Sequence, residues 1–264
     1  MEQISSFDIS ISKDTTKKIE SYNPLDPYQN EILAEAIRTA VHITAQFETS
    51  YGTDISNAYS CVAGNFDGQG MSFGIIQYNF GQGTLQPILT EMMSQAPDVM
   101  EEIFNSDYAF FKEILGKTKK EIVHWADTIS TKNKTTLISP WKEYFSSLGR
   151  NPVCQSIQQK HLETYWHRAI DPICINYGLK TCRGYALAFD IAVNLWALGN
   201  DAYKQIMAQV TDSTTETDLL KLMASYGPAS TRPRREAIAN GYGTVNGTVF
   251  DLSKDYGLSD IPFR

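Results

Sequence analysis

Two acidic residues, Glu48 and Asp67, stand where a carboxyl group can take part in acid–base chemistry. Apolar residues recur at three- and four-residue spacing from Ile32 to Phe47, which predicts an amphipathic helix whose last turn carries Glu48. A carboxylate there faces the negative end of the helix dipole, beside the apolar surface of Phe47 and Tyr51. Both influences favour the protonated carboxyl, the form that a general acid needs. The alternative is an exposed glutamate that tolerates a small penalty.

Asp67 lies in a glycine-rich stretch with a different pattern. Residues 59–78 predict a β-hairpin or small sheet, with Asp67 at its turn. An aspartate before glycine is common in turns, so a turn-forming side chain is the ordinary explanation. The combination with Glu48 favours a functional role, because two carboxylates on different elements can face each other in a site that cleaves sugars.

Polar side chains follow Asp67 and are candidates for binding a sugar. Ser72 comes first, and Gln77 and Asn79 are predicted to alternate on one face of a strand, where their amides can bind hydroxyl or N-acetyl groups. The alternative for this pair is an exposed strand face. Tyr51, next to the helix end, is also expected to contact substrate.

Asp190 and Asn194 are one helical turn apart in an otherwise apolar helix. They are expected either to line a substrate cleft or to form a buried polar cluster with Arg183. A basic cluster lies further along the chain and is interpreted as a solvated helix start or as a site for the carboxylate groups of a ligand; it consists of Arg232, Arg234 and Arg235. Aromatic residues at helical spacing are expected in the core rather than stacked on sugars: Tyr165, Trp166 and Tyr185.

Helices must position most of these residues. Asp26-Pro27 predicts the start of the first helix, and Asp171-Pro172 predicts an end or kink in a long one. Other helices are predicted over 84–93, 98–106, 107–116, 119–130, 138–148, 152–170, 180–197, 201–210, 215–226 and 230–240. Residues 241–264 are predicted as surface turns. The fold class is therefore mostly α (α+β), with one domain over 25–264 after a flexible N-terminal segment over 1–24.

Composition excludes several classes of function. The chain has 264 residues and a formal net charge of −7, so a surface that tracks nucleic-acid phosphates is not expected. Neither a membrane span nor a signal peptide is predicted. A metal site is not predicted either, since His161 and His167 are six residues apart and no His-Glu-x-x-His motif occurs. Four cysteines, none of them in a Cys-x-x-Cys pair, allow either two disulfides or free buried thiols, and free thiols are the favoured expectation.

The two carboxylates lie in a longer pattern. Phe47-Glu48-Thr49-Ser50 is followed by Gly64-Asn65-Phe66-Asp67-Gly68-Gln69-Gly70-Met71-Ser72-Phe73-Gly74-Ile75-Ile76. This resembles the catalytic segment of the lysozyme superfamily, a helix-terminal Glu and then an Asp-Gly-x-Gly-x-(Thr/Ser)-x-Gly hairpin. The resemblance is closest to glycoside hydrolase family 46, the chitosanases, and to peptidoglycan hydrolases of phage endolysins and antibacterial effectors.

The resemblance implies a lysozyme-like, two-lobed domain with a small β-hairpin lobe and a cleft between the lobes. It implies that Glu48 is the general acid, that Asp67 is the general base and that Ser72 helps to hold the attacking water. The expected activity is inverting hydrolysis of β-1,4 bonds in bacterial peptidoglycan without a cofactor. The alternatives are a chitosanase, which the acidic balance suits, and a non-catalytic cell-wall carbohydrate-binding module.

The same resemblance implies the partners and the place of action. The expected partners are peptidoglycan glycan strands and an immunity protein, with the chain as a monomer. Action in the periplasm or cell wall is expected, after release at lysis or delivery by a secretion system.

Overall fold

The structure, a computed structural model, describes residues 26–27, 30–50 and 54–264. The segment expected to be flexible, 1–24, and the expected substrate contact Tyr51 lie outside the described residues. The chain divides into two compact units. Of the described residues, unit 1 contains 26–27, 30–44 and 164–264, and unit 2 contains 45–50 and 54–163.

Helices make up most of the described chain, as the sequence predicts. They are α1 (Glu31–Thr49), α2 (Leu85–Gln95), α3 (Pro97–Phe104), α4 (Tyr108–Leu115), α5 (Lys119–Thr128), α6 (Trp141–Arg150), α7 (Pro152–Arg168), α8 (Ile175–Tyr177), α9 (Cys182–Leu195), α10 (Asn200–Met207), α11 (Glu216–Ser225), α12 (Arg232–Asn240) and α13 (Leu252–Tyr256). Short 3-10 turns cover Ile55–Ser60, Asn105–Asp107 and Ala229–Thr231. As expected, α7 ends just before Asp171-Pro172, in a π-type turn over Ala169–Cys174 that contains a non-helical residue.

The predicted start of α1 at Asp26-Pro27 is wrong. The helix begins after Asn30, whose side-chain oxygen accepts a 3.1 Å hydrogen bond from the backbone N–H of Leu33. The Asn30 N–H in turn donates to the carbonyl of Asp26. Asparagine is among the best residues for satisfying the free N–H groups of a helix start, so Asn30 sets where α1 begins.

Unit 2 carries a three-stranded antiparallel sheet in the order β1 (Val62–Ala63), β2 (Ser72–Phe73) and β3 (Tyr78–Asn79). The predicted β element is confirmed, but its strands are only two residues long. Helices α2 to α6 make up most of the rest of unit 2. In the register of the sheet, Ser72 pairs with Ala63 on one side and with Asn79 on the other.

An aromatic core holds this sheet against the helices of unit 2. Phe73 of β2 packs edge-on against Phe145 of α6, with ring centroids 5.4 Å apart. Phe104 and Phe111 stack at 4.4 Å beside them. Successive side chains of a strand point to opposite faces, so Phe73 anchors β2 in the core while Ser72 points to its other face.

Unit 1 is built around α9, whose side chains are buried from Cys182 to Ala192 with the exception of Arg183. Residues 241–264, predicted as surface turns, instead form a hairpin followed by α13. The strands of this hairpin are β4 (Tyr242–Val245) and β5 (Thr248–Asp251), and both residues of the turn between them, Asn246 and Gly247, have positive φ. The prediction of surface turns is therefore wrong for this stretch, although Asn-Gly between the β-branched Val245 and Thr248 is a strong signal for a two-residue hairpin turn.

Candidate active site

Glu48 lies in the last turn of α1, half-buried beside the buried Phe47. Glu48 interacts electrostatically with Cys61, the residue before β1. Burial raises the pKa of the Cys61 thiol to about 11, and the negative charge of Glu48 adds to that increase. The charge of Glu48 therefore acts on the residue that precedes the first strand of the sheet, and the role of Glu48 as general acid stays a prediction.

Asp67 lies in the exposed loop between β1 and β2. One oxygen of its carboxylate accepts a 2.9 Å hydrogen bond from the backbone N–H of Gln69. Gly68 follows with φ of 78°, a conformation that favours glycine. Within the described part of the chain no partner engages the second oxygen of Asp67, so that oxygen is available to a water or a ligand.

Asn65 anchors the loop that carries Asp67. Its side-chain nitrogen donates to the carboxylate of Asp127 on α5 at 2.8 Å, and its side-chain oxygen accepts from the N–H of Gly70 at 2.7 Å. Its backbone N–H donates to the hydroxyl of Ser130 at 3.0 Å. One residue thus connects both ends of the loop to the helical part of unit 2, and we call these contacts the Asn65 clamp.

Asp127 is the charged member of this clamp. Its carboxylate pairs with the ammonium of Lys134 at 2.7 Å in addition to accepting from Asn65. The hydrogen bond from Lys134, with a smaller contribution from Asn65, holds the pKa of Asp127 below its ordinary value. Asp127 is therefore ionised at neutral pH and able to accept both hydrogen bonds.

Ser72 and Asn79 face each other across β2 and β3. The side-chain nitrogen of Asn79 donates a 2.9 Å hydrogen bond to the hydroxyl oxygen of Ser72. The side-chain oxygen of Asn79 accepts from the backbone N–H groups of Gly81 and Gln82 at 2.8 and 3.2 Å. Asn79 is only 3% exposed, so its amide holds Ser72 and a turn and has little capacity left to contact a substrate.

Gln77 does not share a strand face with Asn79, which corrects the sequence prediction. It is the last residue of a tight turn, with φ of 55°, and β3 begins only at the next residue. Its side-chain nitrogen donates to the carbonyls of Gly74 and Cys61 at 3.0 and 3.3 Å. The amide of Gln77 therefore closes the β2–β3 turn; binding of substrate by it stays a prediction.

Gln158 of α7 supports the same turn and was not identified from the sequence. It is fully buried, accepts from the N–H of Ile75 at 3.0 Å and donates to the carbonyl of Tyr59 at 3.1 Å. A Cβ at Gly74 would come within 2.2 Å of its amide oxygen, so the turn needs glycine there. The signal was present, because Gln158 lies one helical turn from the buried Cys154 and Leu162.

Asp190 and Asn194 lie in unit 1, and Asp190 is fully buried. The guanidinium of Arg234 on α12 donates to one oxygen of Asp190 at 2.6 and 3.1 Å. The side chain of Asn194 donates to the Asp190 carbonyl at 3.0 Å. The expected buried polar cluster therefore exists, but its cation is Arg234 and not Arg183, and the lining of a cleft by Asp190 is wrong.

The structure also contradicts the interpretation of the basic cluster on α12 as a solvated or wall-binding surface. Arg234 and Arg235 are 7% and 0% exposed, so neither is a solvated residue or a wall contact. Arg235 donates to the carbonyls of Ala224 and Pro228 at 3.2 and 3.1 Å. Both arginines lie one helical turn before the buried Ile238, which places them on the inner face of the helix.

Other sequence expectations concern the core and metals. Tyr165, Trp166 and Tyr185 are buried, as expected of core residues. All four cysteines are free thiols, and all except Cys61 are buried: Cys61, Cys154, Cys174 and Cys182.

Over residues 26–27, 30–50 and 54–264, no group of three or more His, Cys, Asp or Glu side chains is arranged to hold a metal ion. In the same ranges, no helix combines the length and apolar character needed to cross a bilayer.

Solved structures show which known fold the chain adopts. It is similar to a family 46 chitosanase of Gynuella sunshinyii in complex with chitotetraose, with 14% identity and a TM-score of 0.56 over 82% of this chain and 97% of that one. It is also similar to a second chitosanase complex, with 16% identity and a TM-score of 0.54 over 87% and 99%. The predicted resemblance to the mostly α, lysozyme-like family 46 fold is therefore confirmed. No family model and no curated protein sequence matches the chain.

Proposed function

We propose that the chain is a glycoside hydrolase in which Glu48 is the general acid and Asp67 the general base. One arrangement carries this proposal. The charge of a helix-terminal carboxylate acts on Cys61, the residue before the first strand of a small sheet, and the first loop of that sheet presents a second carboxylate, one oxygen of which has no partner among the described residues. The similarity of the fold to chitosanases, which are glycosidases, supports the same class.

The chemistry needs one proton donor and one activated water. Glu48 gives its proton to the glycosidic oxygen as the bond from that oxygen to the anomeric carbon breaks. Asp67 takes a proton from a water whose oxygen bonds to the anomeric carbon from the opposite face of the ring. Each carboxyl group ends in the other protonation state, and exchange with solvent restores both.

Ser72 is proposed to position this water. Its oxygen is fixed by the amide of Asn79. Among the described residues its hydroxyl has no second hydrogen-bond partner, so its proton is available to a bound water. A hydroxyl whose oxygen is held in place loses little entropy when it orients a water, which is the property that a positioning group needs.

Bacterial peptidoglycan is the proposed substrate. Asp67 is the only acidic residue from 62 to 90, and the exposed side chains there include the amides of Gln69 and Gln82. A neutral surface with amide groups suits N-acetylated sugars, which carry no positive charge. Release at lysis or delivery by a secretion system would bring the chain to the wall, with an immunity protein as the partner in the second route.

Chitosan is the second candidate substrate, and two observations favour it. Both solved structures named above are chitosanases. The net charge of −7 would attract a polycation over a long range. Against it, the stretch around Asp67 lacks the further carboxylates that would bind a row of ammonium groups.

Analysis of the products distinguishes the two substrates. The purified chain is incubated separately with peptidoglycan and with chitosan, and the soluble products are identified by mass spectrometry. We expect wall fragments with a new reducing sugar, whose identity names the cleaved linkage. Glucosamine oligomers alone would assign the chain to chitosan. The absence of product from both polymers, with retention on the wall, would contradict hydrolysis and support a binding module.

A further inference from the structure

Trp196 is an unusual residue of unit 1. It is 49% exposed, whereas Trp125, Trp141 and Trp166 are at most 8% exposed. It follows α9 with φ of 65° and ψ of −40°, a backbone conformation that is unfavourable for a bulky residue. Such strain persists only where the surroundings enforce it, and it is concentrated at functional sites.

Two side chains hold the indole of Trp196 in place. The guanidinium carbon of Arg168 lies 3.6 Å from the ring centroid, which is a close cation–π contact. The ring of Tyr165 meets it edge-on, with centroids 6.2 Å apart. The indole is therefore oriented, yet about half of its surface remains in contact with solvent. A rigid, exposed aromatic face of this kind loses little entropy when a ligand stacks on it.

A cavity of about 290 Å³ lies next to Trp196 in the chain: its lining includes the three residues that follow Trp196, which are Ala197, Leu198 and Gly199, although not Trp196 itself. Its walls include Tyr177 and Tyr203, whose rings lie 5.1 Å apart, and the apolar Ile173. Asn176 and Asn200 add amide groups at its edge. No residue that lines the cavity carries a charge. The volume is at the lower end of ligand pockets, about 300–1,000 Å³, which suits one sugar unit better than a large ligand.

We propose that Trp196 and this cavity form a binding site for neutral, N-acetylated sugar units of a glycan chain. The apolar face of a β-linked sugar ring matches an aromatic surface, and its hydroxyl and N-acetyl groups match amides and a tyrosine hydroxyl. The charge of Arg168 on the indole disfavours the ammonium group of deacetylated glucosamine. The choice of ligand class rests on the proposed function, but binding here does not require turnover.

Fluorescence quenching tests the site directly, because the other three tryptophans are buried. We use the Glu48→Gln variant, so that no substrate is consumed, and iodide as the quencher. The N-acetylglucosamine tetramer should remove the iodide-accessible fraction of the fluorescence, whereas the glucosamine tetramer should protect it less. Unchanged quenching at millimolar N-acetylglucosamine tetramer, or equal protection by both tetramers, would overturn the proposal.

Retention on insoluble peptidoglycan provides a second readout. Trp196→Gly removes the indole in a backbone conformation that glycine adopts readily, so the fold should persist. It should lose most of the retention of its Glu48→Gln parent. Tyr242→Ala removes an exposed aromatic of β4 and is the matched control, with retention unchanged. Equal retention of both variants would contradict the site. Failure of hydrolysis by the unmodified chain, with iodide protection intact, would count against the proposed function alone.

Discussion

The hydroxyl of Ser72 and the amide of Asn79 form a 2.9 Å hydrogen bond between adjacent strands. Asn79 is itself fixed, because its oxygen accepts two backbone N–H groups of the following turn. Ser72, which is expected to hold a water, is thus itself held by Asn79, which was expected to bind sugar. Asn79 acts on Ser72 through this hydrogen bond, and it is a positioning residue in the proposed mechanism.

Ser72→Ala should lower turnover without unfolding the chain. Loss of one positioning hydrogen bond of about 1.4 kcal/mol corresponds to about a tenfold loss in rate. Ser72→Thr keeps the hydroxyl and should keep most activity. The exposed Ser94 of α2 provides the matched control, Ser94→Ala, with unchanged rate. Equal losses in Ser72→Ala and Ser72→Thr would indicate a packing role and not water positioning.

Asp127→Asn tests the Asn65 clamp through its pH dependence. The pKa of Asp127 is lowered in the folded chain, so ionised Asp127 stabilises the fold above its ordinary pKa of 3.8. That stabilisation is lost as the pH falls through the lowered value. Urea unfolding of both proteins should show their largest difference at neutral pH and a shrinking difference below about pH 4. A difference that does not depend on pH would contradict the ionic role.

Arg234→Ala should destabilise unit 1 strongly. Removal of one partner leaves the Asp190 carboxylate buried without its cation, which typically costs about 3–5 kcal/mol. Arg232→Ala is the matched control, because Arg232 is exposed on the same helix and should change stability little. Replacement of both partners by Asp190→Leu and Arg234→Met should recover part of the loss. A small effect of Arg234→Ala in urea unfolding would contradict the buried pair.

Periodicity predicted much of what the structure contains. The main helices lie close to their predicted ranges, and the same spacing would have placed Gln158, Arg234 and Arg235 on buried faces. Because arginine is charged, Arg234 and Arg235 were instead interpreted as part of a solvated helix start or of a carboxylate-binding site. Periodicity shows which face of a helix is buried but not which other helix packs against that face. It therefore could not predict the ion pair between Asp190 and Arg234.

The sequence supplied the candidate catalytic residues, whose roles stay predictions, but not the contacts that hold them in place. Glu48, Asp67 and Ser72 follow from a local sequence pattern. The Asn65 clamp joins residues 62 positions apart, and Gln158 lies 83 positions from Ile75. Such contacts depend on how helices pack against the sheet, which no local pattern encodes.

Glu48→Gln should remove the general acid while preserving the size of the side chain. Loss of a general acid typically lowers turnover by about 10²–10⁴-fold, with substrate binding nearly unchanged. The exposed Glu101 of α3 supplies the control, Glu101→Gln, which should turn over normally. The comparison uses release of reducing ends from the polymer that the product analysis identifies. Normal turnover by Glu48→Gln would remove the acid from the mechanism.

The stereochemistry of the first product tests the central claim most directly. If Asp67 activates water while Glu48 protonates the leaving oxygen, attack from the opposite face inverts the anomeric carbon. Proton NMR of freshly formed products from a β-linked substrate should therefore show the α anomer first, with the β anomer appearing later by mutarotation. A β anomer that appears first would contradict the role of Asp67 as general base.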